Sequence, residues 1–468
     1  MHYRTKVHPK NVESPFRPDE MFFSVTDLKG IILSGNDVFY RTSKFSKEEL
    51  IGAPHNIIRH PDMPRIVFKL LWDYIKSGKP IVAYVKNMAK DGSYYWVLAT
   101  VMPLKDENGK PKKYISIRIK PTTEYFELIK GLYKELLEAE KIGGMDASYK
   151  LLIEKLKELG YESYDQFMKE VLSKELEAKK DVLKVESIDH IEHGNHFGRV
   201  IKRIFDLSLK LNSIYDSIYQ KITAFENFAR VLQEKSNTIF SLTDYIRLIS
   251  LNSSVESFKL GSKGASFSVL SAEMRKNSEM GNKIIEDMKK QTAGIMEDIN
   301  LIVILINTSK LQIIMITKFL REVLRNLESE TSSQEEQKEI ETNLRDLLLL
   351  LITDARDITE NSEDMQFQLS KIDEYMKKLK ILIKRLEFLY LNGMVESAHH
   401  TETSFSIIFT EVNKLVESTR EVLDSLHVPL FDVIQKNKNM IKEFREVENL
   451  IKRIYHELDT LQEIPQEV

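Results

Sequence analysis

From Thr123 onward only two of the chain's 12 prolines remain, glycine thins out, and apolar residues step by three or four. The series Val200, Ile204, Leu207, Leu211, Ile214, Ile218, Ile222, Phe225, Ala229 and Leu232 draws one apolar stripe along a helix, the seam of a coiled coil or bundle. The same stepping returns at Met365, Leu369, Ile372, Met376, Leu379, Ile383 and Leu386. Seams of this length oblige helices to pack on helices, so the stripes read as core and not as a cofactor box. Of the 468 residues, 30% are charged. That exceeds the ~25% usual for globular domains and fits exposed helix faces.

Residues 21–122 obey a different grammar. They hold most of the prolines and both tryptophans, and short apolar runs alternate with turn signals at Lys29-Gly30, Asp91-Gly92 and Asn108-Gly109. "YYWVLATVMPL" and "KKYISIRIK" read as adjacent antiparallel strands joined by "KDENGKP", and "PRIVFKLLWDYIKSG" as a helix ended by Gly78. The expected organisation is an extension over 1–20, a sensor-like domain over 21–122 and a helical connector over 123–190, punctuated by Gly143-Gly144 and Gly160. Two helical hairpins follow, over 191–328 and 339–468, joined by a polar turn at 329–338.

Composition removes several functions. Lysine and arginine number 68 against 71 acidic residues, a net charge of −3, with no one-signed block to serve as a nucleic-acid arm. With no cysteine, thiolate metal sites, disulfides and a cysteine nucleophile are excluded, and a reducing compartment is expected. The opening "MHYRTKVHPK" lacks the apolar core of a signal peptide. "LIVILINTSKLQIIMI" is broken by Asn307, Ser309, Lys310 and Gln312, short of the ~20 apolar residues of a bilayer span. The expectation is a soluble, cytoplasmic protein.

The densest cluster is "PHNIIRHPDMP" at 54–64, where three prolines bracket two histidines, an arginine and an aspartate. With its surroundings, which include Trp72, "VKN" and "YYWV", it resembles the PAS domain of aerotaxis receptors over about a hundred residues. The resemblance implies an α+β fold, a five-stranded antiparallel sheet with helices on one face, enclosing a flavin, expected as FAD. Haem or an empty pocket are the alternatives. The family's flavin-binding positions fall on Asn36, Arg59, His60, Asp62, Trp72 and Asn87. Their chemistry suits the task. Trp72 offers an aromatic wall, Asn36 and Asn87 offer amides, Arg59 and His60 offer positive charge for phosphates, and Asp62 orients one of the latter. His55 reads equally well as a histidine satisfied within a proline-rimmed turn. Ile81 stands where aerotaxis-type domains commonly carry a tryptophan.

"IRLISLNSSVESFKLGSKGASFSVLSAEMRKNSE" at 246–279 resembles the cytoplasmic tip of methyl-accepting chemotaxis proteins through Leu251, Asn252, Val255, Glu256, Lys259, Gly261, Gly264, Phe267, Val269, Glu273 and Arg275. The resemblance implies a hairpin of two long antiparallel helices whose tip holds receptor dimers together in trimers and docks a coupling protein and a histidine kinase, with Asn252, Glu256 and Lys259 at trimer-contact positions. Departures at Asp244, Ser254, Ser257, Phe258 and Ser262 put kinase coupling in doubt. The pattern recurs about 140 residues on, in "LEFLYLNGMVESAHHTETSFSIIFTEVNKLVES", where Asn392 and Glu396 repeat Asn252 and Glu256 and the turn glycines are lost. Each arm is roughly 60 to 65 residues, on the order of 95 Å at 1.5 Å per residue. Two hairpins could therefore lie together as one four-helix bundle, a single chain imitating a receptor dimer. The alternative is pairing between molecules. Pro429 is expected to kink or break the last arm. "TSSQEEQ" reads as solvated linker, so adaptation by methylation is not expected.

His190, His193 and His196 are spaced to share a helix face, but without an acidic set beside them they read as a solvated helix start. No phosphate-cradling glycine loop, nucleophile elbow or metalloprotease motif appears. The sequence thus reads as a non-enzymatic redox or oxygen sensor of chemotaxis type. The rival reading is an adaptor that uses its PAS domain and tips for association alone. A flavin enzyme ranks last, because no substrate-binding domain is evident.

Overall fold

The computed structural model describes residues 7–187, 195–329, 333–399 and 404–461. The chain divides into two compact units. One comprises Met1–Tyr219, Val303–Ile358 and Phe444–Val468, the other Gln220–Ile302 and Thr359–Glu443.

In the first unit, strands β1 (Met21–Thr26), β2 (Ile32–Gly35), β3 (Ile81–Met88), β4 (Tyr94–Lys105) and β5 (Pro111–Ile119) form one antiparallel sheet in the order β2-β1-β5-β4-β3. Short helices α1 (Asp37–Ser43) and α2 (Lys47–Leu50), a 3₁₀ turn at His55–Ile58, and α3 (Arg65–Lys76) fill the long connection from β2 to β3. Helix α3 stops where expected, since Gly78 takes φ +81° just past its C-cap. The β4–β5 hairpin turns at Gly109, also at positive φ.

The strands read as nearly continuous apolar runs because both faces of the sheet are covered. Alternation sends Ser24, Ser116 and Arg118 to one face, while Phe23, Ile115, Ile117 and Ile119, all fully buried, point to the other. Part of that second face is closed by α4 (Glu124–Glu158): Phe126 meets Trp96 edge-on at 5.3 Å and the Tyr133 hydroxyl donates to the Tyr84 carbonyl at 2.8 Å. Gly144 interrupts α4 with φ +70°, ψ −164°, so the diglycine does divide the connector into shorter helices. On α5 (Tyr164–Ala178), Glu175 is fully buried and accepts from the amides and hydroxyls of Thr122 and Thr123, capping the start of α4. This one carboxylate fixes the connector to the end of the sheet.

The remaining chain is four long helices: α6 (His196–Lys259), α7 (Ala265–Ser329), α8 (Gln334–His399) and α9 (Phe405–Asp459). In the first unit their contacts close a ring, α6 to α7 through Lys310–Asn212, α7 to α8 through Gln312–Asp354, α8 to α9 through Arg345–Asp459, and α9 to α6 through Arg203–Glu457. The second unit closes its own ring through Thr243–Asn282, Gln368–Asp298, Arg420–Glu387 and Tyr245–Glu411. Each unit therefore holds a four-helix bundle built within one chain.

Of the polar segment proposed as a turn at 329–338, residues 330–332 lie outside the described residues; α7 runs to Ser329 and α8 begins at Gln334, where Ser333 and Glu336 form reciprocal cap bonds. One expectation changes: Pro429 does not break α9, which continues to Asp459. Its neighbours Leu426, Leu430 and Val433 are buried in the bundle seam, and that packing holds the helix against the lost amide bond. One helix among the described residues, within Gly261–Leu327, is long and apolar enough to cross a membrane; 78% of its apolar window is buried inside the protein. The polar breaks at Asn307, Ser309 and Gln312 lie in that seam, all fully buried.

Candidate functional site

The inner face of the sheet and the α3 side of the domain enclose a cavity of about 240 Å³. Its walls follow from register. Strand pairing sets Ser24, Ser116 and Val101 in one row and Phe22, Arg118 and Ala99 in the next, and β3 adds Val85 and Asn87. Helix α3 contributes Phe68, Leu71, Trp72 and Ile75 at helical spacing. Gly30, at φ +79°, lets the chain pass Trp72, since a Cβ there would sit 3.2 Å from the indole.

The polar end of the cavity is built around Arg118. Its guanidinium is buried, donates to Ser24 Oγ at 3.0 Å and approaches His55 Nε2 at 2.7 Å. An arginine can only donate, so His55 must accept at Nε2 and carry its proton on Nδ1. Burial, and then the neighbouring Arg118 charge, accordingly push the His55 pKa down to about 3. Among the described residues no carboxylate pairs with Arg118, which instead lies 5.6 and 5.5 Å from the Phe22 and Phe39 rings. Burial lowers its pKa to about 10. On the cavity wall, Ser116 Oγ, two residues along β5 from Arg118, and Asn87 Nδ2, on β3 where it bridges to Arg59, are buried without a hydrogen-bond partner. A cavity with apolar walls, an uncompensated cation and two unspent polar groups is shaped for a flat ligand carrying hydrogen-bonding atoms and partial negative charge at its edges.

Of the six positions singled out in the sequence, Arg59, Trp72 and Asn87 line the cavity. Arg59 lies over the Phe68 ring at 3.9 Å. The other three do not line it. Asn36 is buried at the N-cap of α1, accepting from the Phe23 amide at 3.2 Å and donating to the Met21 carbonyl. His60 is buried as well and accepts from the Asp62 amide at Nδ1, while Asp62 pairs with Lys86 at 2.7 Å. Burial, with Lys86, pushes the His60 pKa down to about 4. Sequence reasoning passed over Arg118 and undervalued His55. The available signal was an arginine within the apolar alternation of "KKYISIRIK", a charge in a strand buried on both faces. Of the histidine trio, His190 and His193 lie outside the described residues, and no cluster suited to a metal occurs among those described.

In the second unit, α6 and α7 reverse through a 3₁₀ turn at Gly261–Gly264. A Cβ on Gly264 would lie 1.9 Å from the Ser257 carbonyl oxygen, so only glycine fits the turn. Phe267 of α7 stacks on Phe405 of α9 at 3.9 Å, joining the two hairpins near their tips. Of the candidate tip contacts, Glu256 pairs with Lys259 at 2.7 Å on the same helix, and Asn392 Nδ2 donates to the Phe388 carbonyl. Asn252 and Glu396 are half-buried or exposed beside them. Val255, Phe258, Leu391 and Val395 are exposed apolar neighbours, Phe258 at 87%. The turn of the second hairpin, at 400–403, lies outside the described residues.

Residues 32–118 match the family model described as the PAS fold. This segment is a PAS domain. The aerotaxis receptor of Escherichia coli (strain K12) is 42% identical over 123 residues, 26% of this chain and 24% of that protein. The biofilm dispersion protein BdlA of Pseudomonas aeruginosa is 21% identical over 265 residues, 56% of this chain and 52% of that one. The chain thus spans a quarter to a half of these relatives. A solved structure of the light state of the blue-light photoreceptor Aureochrome1 LOV aligns at a TM-score of 0.22, 20% identity, over 23% of this chain and 88% of that one.

Within the first unit, the PAS domain rests on two long helices. From α7, Phe319 meets Phe23 edge-on at 5.2 Å, Lys318 donates to the Asp19 carbonyl, and the half-buried Glu322 carboxylate accepts from Asn36 Nδ2 at 3.0 Å and the Asp37 amide at 2.9 Å. From α8, Glu339, Asp346 and Asp357 pair with Lys47, Lys113 and Lys105. Gln312 bridges Met102 Sδ on β4 to the buried Asp354 carboxylate, whose pKa burial raises to about 7.

Proposed function

We propose that the protein is a sensory transducer of chemotaxis type. In this reading its PAS cavity takes a flavin, expected as FAD, and the occupant's state biases the helical bundle. The observation carrying the reading is one apolar-walled cavity lined by the uncompensated Arg118 and by two unspent buried groups, Ser116 Oγ and Asn87 Nδ2. The flavin class is further supported by the resemblance of the 54–64 motif and by the 42% identity to the aerotaxis receptor. Trp72, Val85 and Val101 would wall the ring, Ser116 and Arg118 would meet its polar edge, and Asn87 with its bridged neighbour Arg59 would face the other end of the ligand, Arg59 toward the phosphate tail. When bound, a flavin would supply reversible storage of electrons. The chain's own part is to hold the ring, exclude water with its apolar walls, and present one fixed positive charge and one neutral imidazole to it. Asn36, His60 and Asp62 act in this reading by shaping the motif from outside the cavity.

The bundle is the output element. Asn252, Glu256, Lys259, Asn392 and Glu396 are proposed as partner contacts for a coupling protein or histidine kinase, and the single-chain bundle as the counterpart of a receptor dimer. A second reading, an adaptor without kinase coupling, draws on Phe258, 87% exposed where the tip pattern carries a small residue.

The test is the absorption spectrum of the gently purified chain. A flavin band near ~450 nm that bleaches with dithionite and returns in air supports the reading. Loss of the band in Arg59→Ala and Trp72→Ala, with helicity unchanged, supports the site. A colourless protein that takes up no added FAD refutes the flavin assignment and favours the adaptor.

A further inference from the structure

Helix α7 presents four residues to the PAS domain at 318, 319, 322 and 326, a spacing that places them on one helix face. Lys318 and Phe319 hold the approach to β1 and β1 itself, and Asn326 donates to the Asp37 carboxylate at 3.0 Å. Glu322 does something its neighbours do not. It accepts two hydrogen bonds at the start of α1, from the N-cap side chain of Asn36 and from the first helical amide, Asp37. It therefore caps a helix of the sensor from a helix of the bundle.

The cap is also continuous with the cavity. Ser24 Oγ contacts both Arg118 and His55 at the polar end. Its chain neighbour Phe23 donates its amide to Asn36 Oδ1, and Asn36 donates through Nδ2 to Glu322. Two side chains and one backbone step thus separate the ligand-facing cation from α7. The resemblance had assigned Asn36 to the cofactor, whereas here both ends of its amide are engaged elsewhere.

We propose that Glu322 is the contact by which α7 reads the cavity: rearrangement around Ser24 shifts Asn36, and the Glu322 cap on α1 tightens or releases with it. This rests on the transducer reading above. It is independent of which ligand fills the cavity, because every group in the relay belongs to the chain. Like-charged Asp37 beside Glu322 makes the cap a contact that small displacements can tip, and Asn326 is placed to offset that repulsion.

The test is a double-mutant cycle on the ligand-free full chain, read by amide hydrogen exchange over residues 36–43. Glu322→Gln keeps one acceptor and the side-chain volume, and Ser24→Ala removes the cavity end of the relay. Ser24→Ala is expected to speed exchange at the start of α1 by roughly fivefold or more in the parent and to add little in Glu322→Gln, a coupling in the usual range for linked sites. His55→Gln, which leaves Ser24 in place, serves as a second cavity perturbation should Ser24→Ala disturb folding. Additive effects, or unchanged exchange over 36–43 after either cavity change, overturn the relay. FAD uptake is measured separately. Failure of the parent to bind FAD refutes the flavin reading, while the cycle still decides the role of Glu322.

Discussion

Arg118 supplies the sharpest energetic expectation. Burial takes its guanidinium from the ordinary arginine range down to about 10. At ~1.4 kcal/mol per pH unit, that drop is a cost of about 3 kcal/mol in keeping the side chain charged and buried at neutral pH. The sign is fixed: a cation whose folded pKa is depressed destabilises the fold at all pH values below that pKa, and the cost fades only as pH rises through about 10. Against it stand the bonds to Ser24 and His55, each about 1.5 to 3 kcal/mol for a charged donor, and two weak ring contacts. At the lower end of that range the terms nearly cancel. Arg118→Met, which fills similar space without charge, is therefore expected to leave the ligand-free chain within about 1 kcal/mol of the parent or slightly stabilised. In the presence of FAD the order reverses, because the variant forfeits the charge that meets the ligand's edge. Urea unfolding with and without FAD measures both halves. A loss of more than about 3 kcal/mol in the ligand-free variant would refute the reasoning, since the charge would then be satisfied within the fold and have nothing left for a ligand.

Three further expectations follow from the structure. His55 stays neutral until about pH 3 in the folded chain but gains a proton near 6.5 when unfolded, so its contribution is lost as pH falls from 6.5 toward 3 and amounts to about 3 kcal/mol by pH 4.5. His55→Gln should flatten the acid limb of stability by that amount relative to the parent. The paired measurement is essential because His60 acts in the same direction, while Glu322 and Asp354, both raised to about 7, act oppositely. A Cβ on Gly393 would come within 2.4 Å of the Phe409 ring, so Gly393→Ala should destabilise the second unit by about 1 to 2 kcal/mol of overpacking despite better helix propensity; thermal unfolding that shows a gain contradicts this. Pro429→Ala restores an amide donor inside α9 and should stabilise the chain by about 1 to 3 kcal/mol, checked by urea unfolding.

The sequence made the elements legible because their periodicities are long and unmixed. Apolar steps of three or four over scores of residues leave no alternative to helices, and glycines at 78 and 109 end elements by positive φ. Pro429 misled because its local cost is real but buried Leu426, Leu430 and Val433 outweigh it. In the cavity, Trp72 and Asn87 were readable as residue types suited to a ring. Arg118 stood out only as a charge within the apolar alternation of "KKYISIRIK"; its place in the cavity depends on strand register setting it opposite Phe22 and Ala99, which no linear motif encodes.

The arrangement of the first unit bears on how one sensor can act on a bundle of four helices. The direct PAS contacts fall on α7 and α8, the second arm of the first hairpin and the first arm of the second. The connector reaches the bundle separately, where Ser173 of α5 accepts from the Tyr219 hydroxyl at its carbonyl and from Asn307 Nδ2 at its Oγ, touching α6 and α7. A symmetric pair of chains would carry two sensors and offer each of them an equivalent pair of helices. Here the duplicated hairpins are joined in one chain, and a single domain bears on the two helices flanking their junction. A shift of α7 relative to α8 is then the natural coordinate of response. Such a shift would loosen the Glu322 cap, which α7 holds, while leaving the lysine pairs to Glu339 and Asp346, which α8 holds, in place.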